Sequence, residues 1–310
     1  MPKNQLSGRL VFAVDLGGTH LRVALVDDTG NILQHLKQET PRGDSPDGIL
    51  DALAGAAREW KCDERPVVAA SIMVPGAVDA EKAIVVAAPN LPSLINFALK
   101  AELQQRLGWP VVLENDANAA AVGEMWLGAA RCCSDVVSVT LGTGVGGGVI
   151  HDGKLWRGSH GSAGEIGHTT VDPFSGLKCK CGNTGCLELF ASATAIVRMA
   201  RELGMDATSA EKVYEAGRSG DKTALSVFER FGMYLGIGLA NLINLIDPQV
   251  IVITGGAVNG WDLFASEMYR QVEERAFRAT AQQVRIVRSE CGDNAGLLGA
   301  ARLAFEPAIG

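Results

Sequence analysis

The stretch Leu10-Val-Phe-Ala-Val-Asp15-Leu-Gly17-Gly18-Thr19-His-Leu-Arg-Val-Ala-Leu-Val26 contains two β-rich runs joined by a glycine pair. Because glycine adopts the backbone angles that tight turns need, this pattern predicts a β-hairpin, followed by a third strand near 32–37. The same layout recurs further along the chain, where the glycine-rich turn 141–148 joins two strand patterns at 135–140 and 149–154. An internal duplication is the economical interpretation of two such hairpins in one chain.

Strand and helix patterns alternate between and after the hairpins. Strands are predicted at 67–74, 84–88, 111–113, 250–254 and 284–287, and helices at 45–60, 95–107, 117–127, 191–203, 210–216, 222–246, 263–279 and 297–305. This alternation predicts an α/β fold. With 310 residues and 47% hydrophobic content, the chain exceeds the size at which a single core usually divides, so two domains are expected.

The composition favours small-molecule partners over nucleic acid or a membrane. A net charge of −7 would not concentrate nucleic acid or anionic lipid around the protein. Residues 1–10 carry no long apolar segment, and no run approaches the roughly 20 apolar residues that span a bilayer. Seven cysteines, with Cys132 and Cys133 adjacent, suit a reducing compartment better than a disulfide framework. We therefore expect an unexported, cytoplasmic protein.

One histidine and three cysteines lie within a short glycine-rich stretch. They are His168, Cys179, Cys181 and Cys186. Imidazole and thiolate are the ligands that zinc prefers, and four of them fill a tetrahedral shell. The pattern therefore favours a structural zinc ion over a catalytic one, which would keep a position open for water. Glu165 and Glu188 flank the cluster and are candidate ligand-binding groups, although solvated surface carboxylates are the ordinary alternative. The second ring nitrogen of His168 is available to meet a ligand hydroxyl.

Glycine-rich turns follow three predicted strands, at Asp15–Thr19, Gly142–Gly148 and Gly255–Gly256. Glycine lets backbone N–H groups approach a phosphate chain, and Thr19 and Thr143 add hydroxyl donors. Any one of these turns has an ordinary explanation as a hairpin, but three in one chain indicate phosphate binding. None matches the Walker A loop or the dinucleotide-binding fingerprint.

Polar side chains are predicted at several strand and loop ends. Asp15 is placed to bind Mg²⁺ directly or through water, with a turn cap as the alternative. Asp116 is a candidate general base for an attacking hydroxyl, with Asn115 bonding a neighbouring hydroxyl. Taken alone, an Asp helix N-cap explains that pair better. Asn90 and Gly76 lie in loops, where such residues usually mark turns.

A series of motifs along the chain resembles those of the ROK (repressor, ORF, kinase) sugar kinases. They are Asp15-Leu-Gly-Gly-Thr-His-Leu-Arg22, Val74-Pro-Gly-Ala-Val-Asp79, Ala88-Pro-Asn-Leu91, Glu114-Asn-Asp-Ala-Asn-Ala119, Leu141-Gly-Thr-Gly-Val-Gly-Gly-Gly148, Gly161-x-x-Gly-Glu-Ile-Gly-His168, Cys179-x-Cys181-Gly-x-x-Gly-Cys186-x-Glu188 and Thr254-Gly-Gly-Ala257. The resemblance extends over nearly the whole chain. The Gly-His and cysteine motifs are its specific part, whereas the glycine turns are shared with the broader actin/hexokinase-like ATPases.

The resemblance implies a two-domain actin/hexokinase-like (ribonuclease H-like) ATPase fold with a structural zinc insertion. Two α/β domains would close over a cleft, and the protein would usually be a homodimer, although a tetramer is also open. On this basis residues 1–116, completed by the last helix at 297–310, form a small N-terminal domain. Residues 117–296 form the larger domain, which contains the zinc site.

The implied activity is phosphoryl transfer from MgATP to the 6-hydroxyl of a hexose, most naturally glucose. Kinases of N-acetylmannosamine, N-acetylglucosamine or fructose are the near alternatives, and polyphosphate is an alternative donor. Outside enzymes, the alternative is a sugar-responsive transcriptional regulator. The family's repressors add an N-terminal helix-turn-helix, for which a first strand near Arg9 leaves no room, and the acidic balance also argues against DNA binding.

Carried over position by position, the resemblance gives roles to the residues already singled out, and Asp116 matches the base that deprotonates the sugar. The sugar-binding set is Gly76, Asn90, Asn115, Asp116, Glu165, His168 and Glu188. The nucleotide-binding set is Asp15, Gly17, Gly18, Thr19, Thr143, Gly144, Gly255 and Gly256, and the zinc ligands are His168, Cys179, Cys181 and Cys186. The chain departs from the family at 93–99, where a tryptophan-containing stretch is more usual, so the contacts of this loop are the least defined.

Overall fold

The computed structural model describes residues 8–60, 65–79, 84–88 and 90–305. Its strands are β1 (Leu10–Leu16), β2 (His20–Asp27), β3 (Ile32–Glu39), β4 (Val67–Val74), β5 (Ala77–Asp79), β6 (Ile84–Ala87), β7 (Val111–Asn115), β8 (Val136–Leu141), β9 (Val145–His151), β10 (Lys154–Leu155), β11 (Val250–Thr254) and β12 (Arg285–Arg288). Its α-helices are α1 (Asp47–Glu59), α2 (Leu99–Leu107), α3 (Asp116–Leu127), α4 (Ala193–Glu202), α5 (Ala210–Arg218), α6 (Lys222–Ile246), α7 (Trp261–Arg275), α8 (Arg278–Ala281) and α9 (Ala295–Phe305). Within this described part of the chain, no helix has the length and apolar character needed to cross a bilayer.

Two five-stranded sheets have the same strand order. The first is β3-β2-β1-β4-β7, and the second is β10-β9-β8-β11-β12. In the first sheet β1 pairs antiparallel with β2 and parallel with β4. In the second sheet β8 pairs antiparallel with β9 and parallel with β11. The predicted internal duplication is therefore present in the topology, since both sheets begin with a hairpin and continue with parallel strands.

The chain divides into two compact units, each built from separate segments. The first falls within Met1–Cys132, Leu155–Ala163 and Asp293–Gly310, and the second within Cys133–Lys154 and Gly164–Gly292. This division differs from the domains predicted at 1–116 and 117–296, because α3 and the segment 155–163 both belong to the first unit. Of the predicted C-terminal segment 297–310, residues 306–310 lie outside the described residues.

The helix α3 belongs to the first unit because it packs closely on α9. A methyl group at Gly123 of α3 would overlap the carbonyl of Ala295, and one at Gly299 of α9 would overlap the carbonyl of Ala119. The two helices therefore touch along their backbones, which only residues without a side chain allow. The small residues of 117–127, which predicted only a helix, are explained by this interface.

Each unit has its own apolar core. The first core joins the sheet to α1 and α2, and it includes Phe12, which is 1% exposed. The second core includes Phe228, Phe231 and Phe264 from α6 and α7, all at most 1% exposed. Full burial of one such side chain contributes about 1.5–3 kcal/mol. These cores make the sheets rigid supports for the loops that follow their strands.

Two predicted elements differ from the structure for identifiable reasons. The helix predicted at 95–107 begins only at Leu99, because Pro92–Leu94 forms a short 3-10 helix and Asn96 has a φ of 59°. The glycine turn predicted at 141–148 is shorter than expected, because its last three glycines belong to β9. At Gly147 a side chain would overlap Ile166, so this glycine serves packing rather than turning.

Candidate active site

The turn between β1 and β2 is held by backbone hydrogen bonds and lies against a predicted sugar ligand. The Gly17 N–H donates to the His20 carbonyl at 2.9 Å, and the Thr40 hydroxyl donates to the Gly17 carbonyl at 2.6 Å. A Cβ at Gly18 would lie only 2.5 Å from the Cβ of Asn90. The structure therefore brings Asn90 into direct contact with the turn that was predicted to bind nucleotide.

Asp15 is paired with an arginine to which the sequence reasoning gave no role. Arg22 Nε donates to Asp15 Oδ2 at 2.8 Å, and Nη2 of the same guanidinium contacts the same oxygen. Arg22 Nη1 also donates to the carbonyl of Asp293 at 2.7 Å. Asp15 and Arg22 are direct partners in the hairpin register. The contact could therefore have been predicted by pairing residues outward from the turn on both strands. Both bonds from Arg22 end on Oδ2, which leaves Oδ1 as the oxygen that could meet a cation.

The junction of β7 and α3 brings Gly76, Asn115 and Asp116 together. Asn115 Oδ1 accepts from the backbone N–H groups of Ala117 and Asn118 at 2.9 and 3.1 Å, and its Nδ2 donates to the Gly76 carbonyl at 2.7 Å. The helix N-cap is therefore Asn115, and not the aspartate that the capping explanation named. Asp116 becomes the first residue of α3, where the helix N-terminus favours a negative charge.

The carboxyl ends of the parallel strands align these groups along one edge of the first sheet. Asp15 is paired with Met73 of β4, and Met73 is paired with Glu114 of β7. Asn115 and Asp116 follow directly after Glu114. Ligands of open α/β sheets bind beyond the carboxyl ends of the strands, so this edge is the expected position for a site.

In the second unit, Glu188 lies against the turn between β8 and β9. Its Oε2 accepts the Val145 N–H at 3.0 Å, and a methyl group at Gly144 would overlap that oxygen. Thr143, at the tip of this turn, accepts from the hydroxyl of Thr194 through its carbonyl at 2.7 Å. Each unit therefore has a predicted sugar ligand that packs directly on a glycine of a predicted nucleotide turn.

The third glycine turn meets the second one within the same unit. Gly255 follows β11 with a φ of 92°, and a Cβ there would lie 2.5 Å from the carbonyl oxygen of Leu141. Gly256 begins a short 3-10 helix, and a Cβ there would meet no atom of the described residues within 4 Å. The ends of β8 and β11 are parallel neighbours, so the backbone groups of both turns lie at one sheet edge.

The four predicted zinc ligands lie together. The ligand atoms of His168, Cys179, Cys181 and Cys186 are all within 4.8 Å of one another. Cys179 Sγ is 3.6 Å from His168 Nδ1, and Cys181 Sγ is 3.7 Å from Cys186 Sγ. In a tetrahedral site with Zn–S of about 2.3 Å and Zn–N of about 2.0–2.1 Å, the ligand atoms lie about 3.6–3.8 Å apart. The donor set and these two distances both fit a zinc ion.

One thiol of the cluster holds its proton tightly. Burial, followed by the neighbouring thiols Cys181 and Cys179, raises the pKa of the Cys186 thiol to about 12. A thiol of this kind is a ligand only as a thiolate, so a metal has to displace its proton.

His168 links the cluster to Glu165. Its Nδ1 faces the thiols, whereas its Nε2 lies 3.9 Å from Glu165 Oε2, which is too far for a direct hydrogen bond. Both side chains are at least one-third exposed. Glu165 directly precedes the short 3-10 helix Ile166–His168 that carries the histidine. This geometry leaves Nε2 as the ring nitrogen able to meet a ligand.

Comparisons with known proteins match this chain over nearly its whole length. The ROK family model matches residues 11–306. A glucokinase from Thermotoga maritima is 36% identical over 321 residues, covering 99% of both chains. A xylose repressor from Bacillus subtilis is 31% identical over 297 residues, covering 94% of this chain and 76% of the repressor.

The fold of this chain also matches that of a solved structure. The crystal structure of a ROK family glucokinase from Streptomyces griseus, in complex with glucose and AMPPNP, superposes with a TM-score of 0.80 at 37% identity. The match covers 95% of this chain and 98% of that one, and it confirms the predicted actin/hexokinase-like α/β fold. On the family model and these full-length similarities, the chain belongs to the ROK family.

Proposed function

We propose that this protein transfers the γ-phosphoryl group of ATP to the 6-hydroxyl of a hexose, and that the hexose is glucose. The observation that carries the proposal is the position of Asp116, the first residue of α3, at the sheet edge that also carries Asp15. Similarity to glucokinases over nearly the whole chain supports the same activity.

In the proposed reaction Asp116 accepts the proton of the attacking 6-hydroxyl. A bond forms between the sugar oxygen and the γ-phosphorus, and the bond to the β,γ-bridging oxygen breaks, so ADP leaves with the electron pair. Catalysis then consists mainly of positioning the two reactants and accepting the proton. The Asn115 cap contributes by fixing the first turn of α3, on which Asp116 stands.

The proposed sugar ligands are Gly76, Asn90, Asn115, Asp116, Glu165, His168 and Glu188. Asn115 is the most constrained of them, because its Oδ1 accepts two backbone N–H groups and its Nδ2 already donates one hydrogen to Gly76. One amide hydrogen of Asn115 is left for a sugar hydroxyl. His168 would use Nε2, and its zinc-facing Nδ1 fixes the orientation of the ring.

The proposed nucleotide ligands are Asp15, Gly17, Gly18, Thr19, Thr143, Gly144, Gly255 and Gly256. Their backbone N–H groups would bind phosphate oxygens, for which glycine turns allow close approach. Bound Mg²⁺ would neutralise phosphate charge, and Asp15 would hold it directly or through water with Oδ1. Arg22 keeps the Asp15 carboxylate in one orientation by binding its other oxygen.

We propose a structural zinc ion for the cluster of His168, Cys179, Cys181 and Cys186. Four protein ligands leave no position for a catalytic water, so the metal would act by rigidity. Cys186 lies two residues before Glu188, so a metal bound to that thiolate would hold the segment that carries this carboxylate.

A coupled assay with a panel of sugars tests the activity. Glucose, N-acetylmannosamine, N-acetylglucosamine and fructose are each offered with ATP and then with polyphosphate. We expect the highest kcat/KM for glucose with ATP. Preference for an acetamido sugar would replace glucose in the proposal, and no phosphorylation of any sugar would overturn the kinase itself.

Similarity to the xylose repressor makes DNA binding the second function to test. The net charge of −7 opposes it, since nucleic-acid binding draws on basic surfaces. A gel-shift titration at low salt should therefore show no complex, whereas salt-sensitive and sequence-selective binding would support a regulator. A cytoplasmic homodimer also belongs to our proposal, and light scattering of the purified protein measures the oligomer.

A further inference from the structure

A buried carboxylate lies two positions before Asp116 in the chain. Glu114, at the end of β7, is 4% exposed. Its Oε1 accepts the backbone N–H of Asn115 at 3.0 Å and the side-chain N–H of Asn118 at 2.9 Å. A buried charge is costly unless it is hydrogen-bonded and paired, so the partner of its second oxygen matters.

That partner is Arg157, which is distant in sequence. Its Nε donates to Glu114 Oε2 at 2.8 Å, and its Nη2 lies 2.7 Å from the same oxygen. Arg157 belongs to the segment 155–163, which packs in the first unit. The carbonyl of Arg157 accepts the Ala163 N–H at 3.0 Å, so the segment closes on itself and holds the arginine in place.

The contacts of Glu114 bracket Asp116 on both sides. The carboxylate fixes the backbone of Asn115, which precedes the proposed base, and the side chain of Asn118, which lies two residues beyond it. Asn115 in turn caps the helix through the N–H groups of Ala117 and Asn118. The orientation of the first turn of α3 therefore depends on the position of one buried carboxylate.

We propose that Arg157 is a positioning residue for the base Asp116, acting through Glu114, an inference that rests on the proposed function. Arg157 neutralises the buried carboxylate and holds Oε2, which keeps Oε1 on Asn115 and Asn118. Without the guanidinium, Glu114 has to draw in water or turn towards solvent. The first turn of α3 then loses the support that aims Asp116 at its substrate.

The test is a cycle of variants with kcat as the readout. Arg157→Met should lower kcat for glucose about 10–10²-fold, the loss typical of a misplaced catalytic group or a lost supporting contact, with little change in the KM for ATP. Arg157→Lys keeps the charge but not the paired donors, so kcat should recover in part. Glu114→Gln combined with Arg157→Met should recover more, because the amide still accepts from Asn115 and Asn118 and no buried charge remains.

Rescue by a second substitution separates this role from a merely structural one, since a lost packing contact would not return. Melting temperature and circular dichroism confirm that each variant is folded. A folded Arg157→Met protein with wild-type kcat would overturn the inference, as would a double variant as slow as Arg157→Met. If Arg157→Met does not fold, Arg157→Lys becomes the deciding variant. Full kcat in Arg157→Lys would show that the paired donors are not needed, and it would overturn the inference. A wild type inactive towards every sugar would instead overturn the proposed function, and this inference with it.

Discussion

Asp116 is the residue on which the proposed chemistry depends most directly. Replacing it by asparagine keeps the shape of the side chain and an acceptor for the Ala117 N–H, which now binds Asp116 Oδ1 at 2.9 Å. We therefore expect a folded protein that still binds glucose but has a kcat lowered about 10²–10⁴-fold, as for other enzymes that lose a positioned base. A coupled assay measures kcat, and calorimetry measures glucose binding.

Asp262→Asn is the matched control for that substitution. Asp262 also lies in the first turn of a helix, α7, but its side chain is 55% exposed and its Oδ2 is 4.0 Å from Nε of Arg218. We expect Asp262→Asn to keep the wild-type kcat. A folded Asp116→Asn protein with near-full kcat would remove Asp116 from the role of base.

At some single residues the contacts could be predicted from the sequence, and at others they could not. The motif identified Asn115 and Asp116, but the choice of N-cap depends on where β7 ends, and the strand extends to Asn115 instead of ending at 113. The Asp15–Arg22 contact follows from hairpin register and was open to prediction. The contact of Arg157 with Glu114 could not be predicted, because no local pattern relates this arginine to a carboxylate in another segment of the chain.

At the scale of elements, the turn between β8 and β9 is coupled to Glu188. Gly144→Ala should displace the carboxylate and break its bond from the Val145 N–H. The displaced Glu188 would then lose its proposed hydrogen bond to a sugar hydroxyl. Losing a hydrogen bond to a charged group costs about 1.5–3 kcal/mol, so the KM for glucose should rise about 10- to 100-fold. Gly142→Ala is the control, since in the described part of the chain a Cβ there would meet no atom within 4 Å. Equal KM values for the two variants would contradict a role for Glu188 in sugar binding.

Loss of the proposed zinc ion should affect sugar binding before it affects chemistry. Cys181→Ser removes one exposed ligand of the cluster, and Cys132→Ser changes an exposed cysteine outside it. We expect the first variant alone to lose zinc and to show a raised KM for glucose while kcat is largely kept, because the proposed metal would order Glu165 and Glu188 without touching phosphate. Metal analysis and steady-state kinetics measure both effects. A zinc-free, folded protein with an unchanged KM would contradict this arrangement.

The contact between α3 and α9 should govern the stability of the first unit. Gly299→Ala places a methyl group against the Ala119 carbonyl, and overpacking of this kind costs about 1–3 kcal/mol. The methyl group of Gly55→Ala in α1 would meet none of the described atoms within 4 Å, and this variant should stabilise the protein by about 0.4–1 kcal/mol. Denaturant unfolding measures the free energy of unfolding of both variants, and a neutral Gly299→Ala would contradict the close packing of the two helices.

For the whole molecule, local patterns predicted the elements and their repetition better than their assembly. Hairpin signals at 10–26 and 135–154 were enough to suggest a duplicated sheet, because turn chemistry and strand period are local. The element on which a helix packs, by contrast, is not determined by local sequence. Periodicity shows that 117–127 has a face to bury, but not that the face meets α9, and the same holds for the segment 155–163, which joins the first unit.

The first unit is therefore assembled from the two ends of the chain, which predicts that they unfold together. The helix α9 contacts α3 and also the strands β1 and β4, so loosening it should expose all of these elements at once. In hydrogen-exchange mass spectrometry, Gly299→Ala should speed exchange in peptides from β1, α3 and α9, whereas peptides from α6, in the core of the second unit, serve as the reference. Faster exchange confined to α9 would mean that this helix frays alone, and it would contradict a first unit that depends on its C-terminal helix.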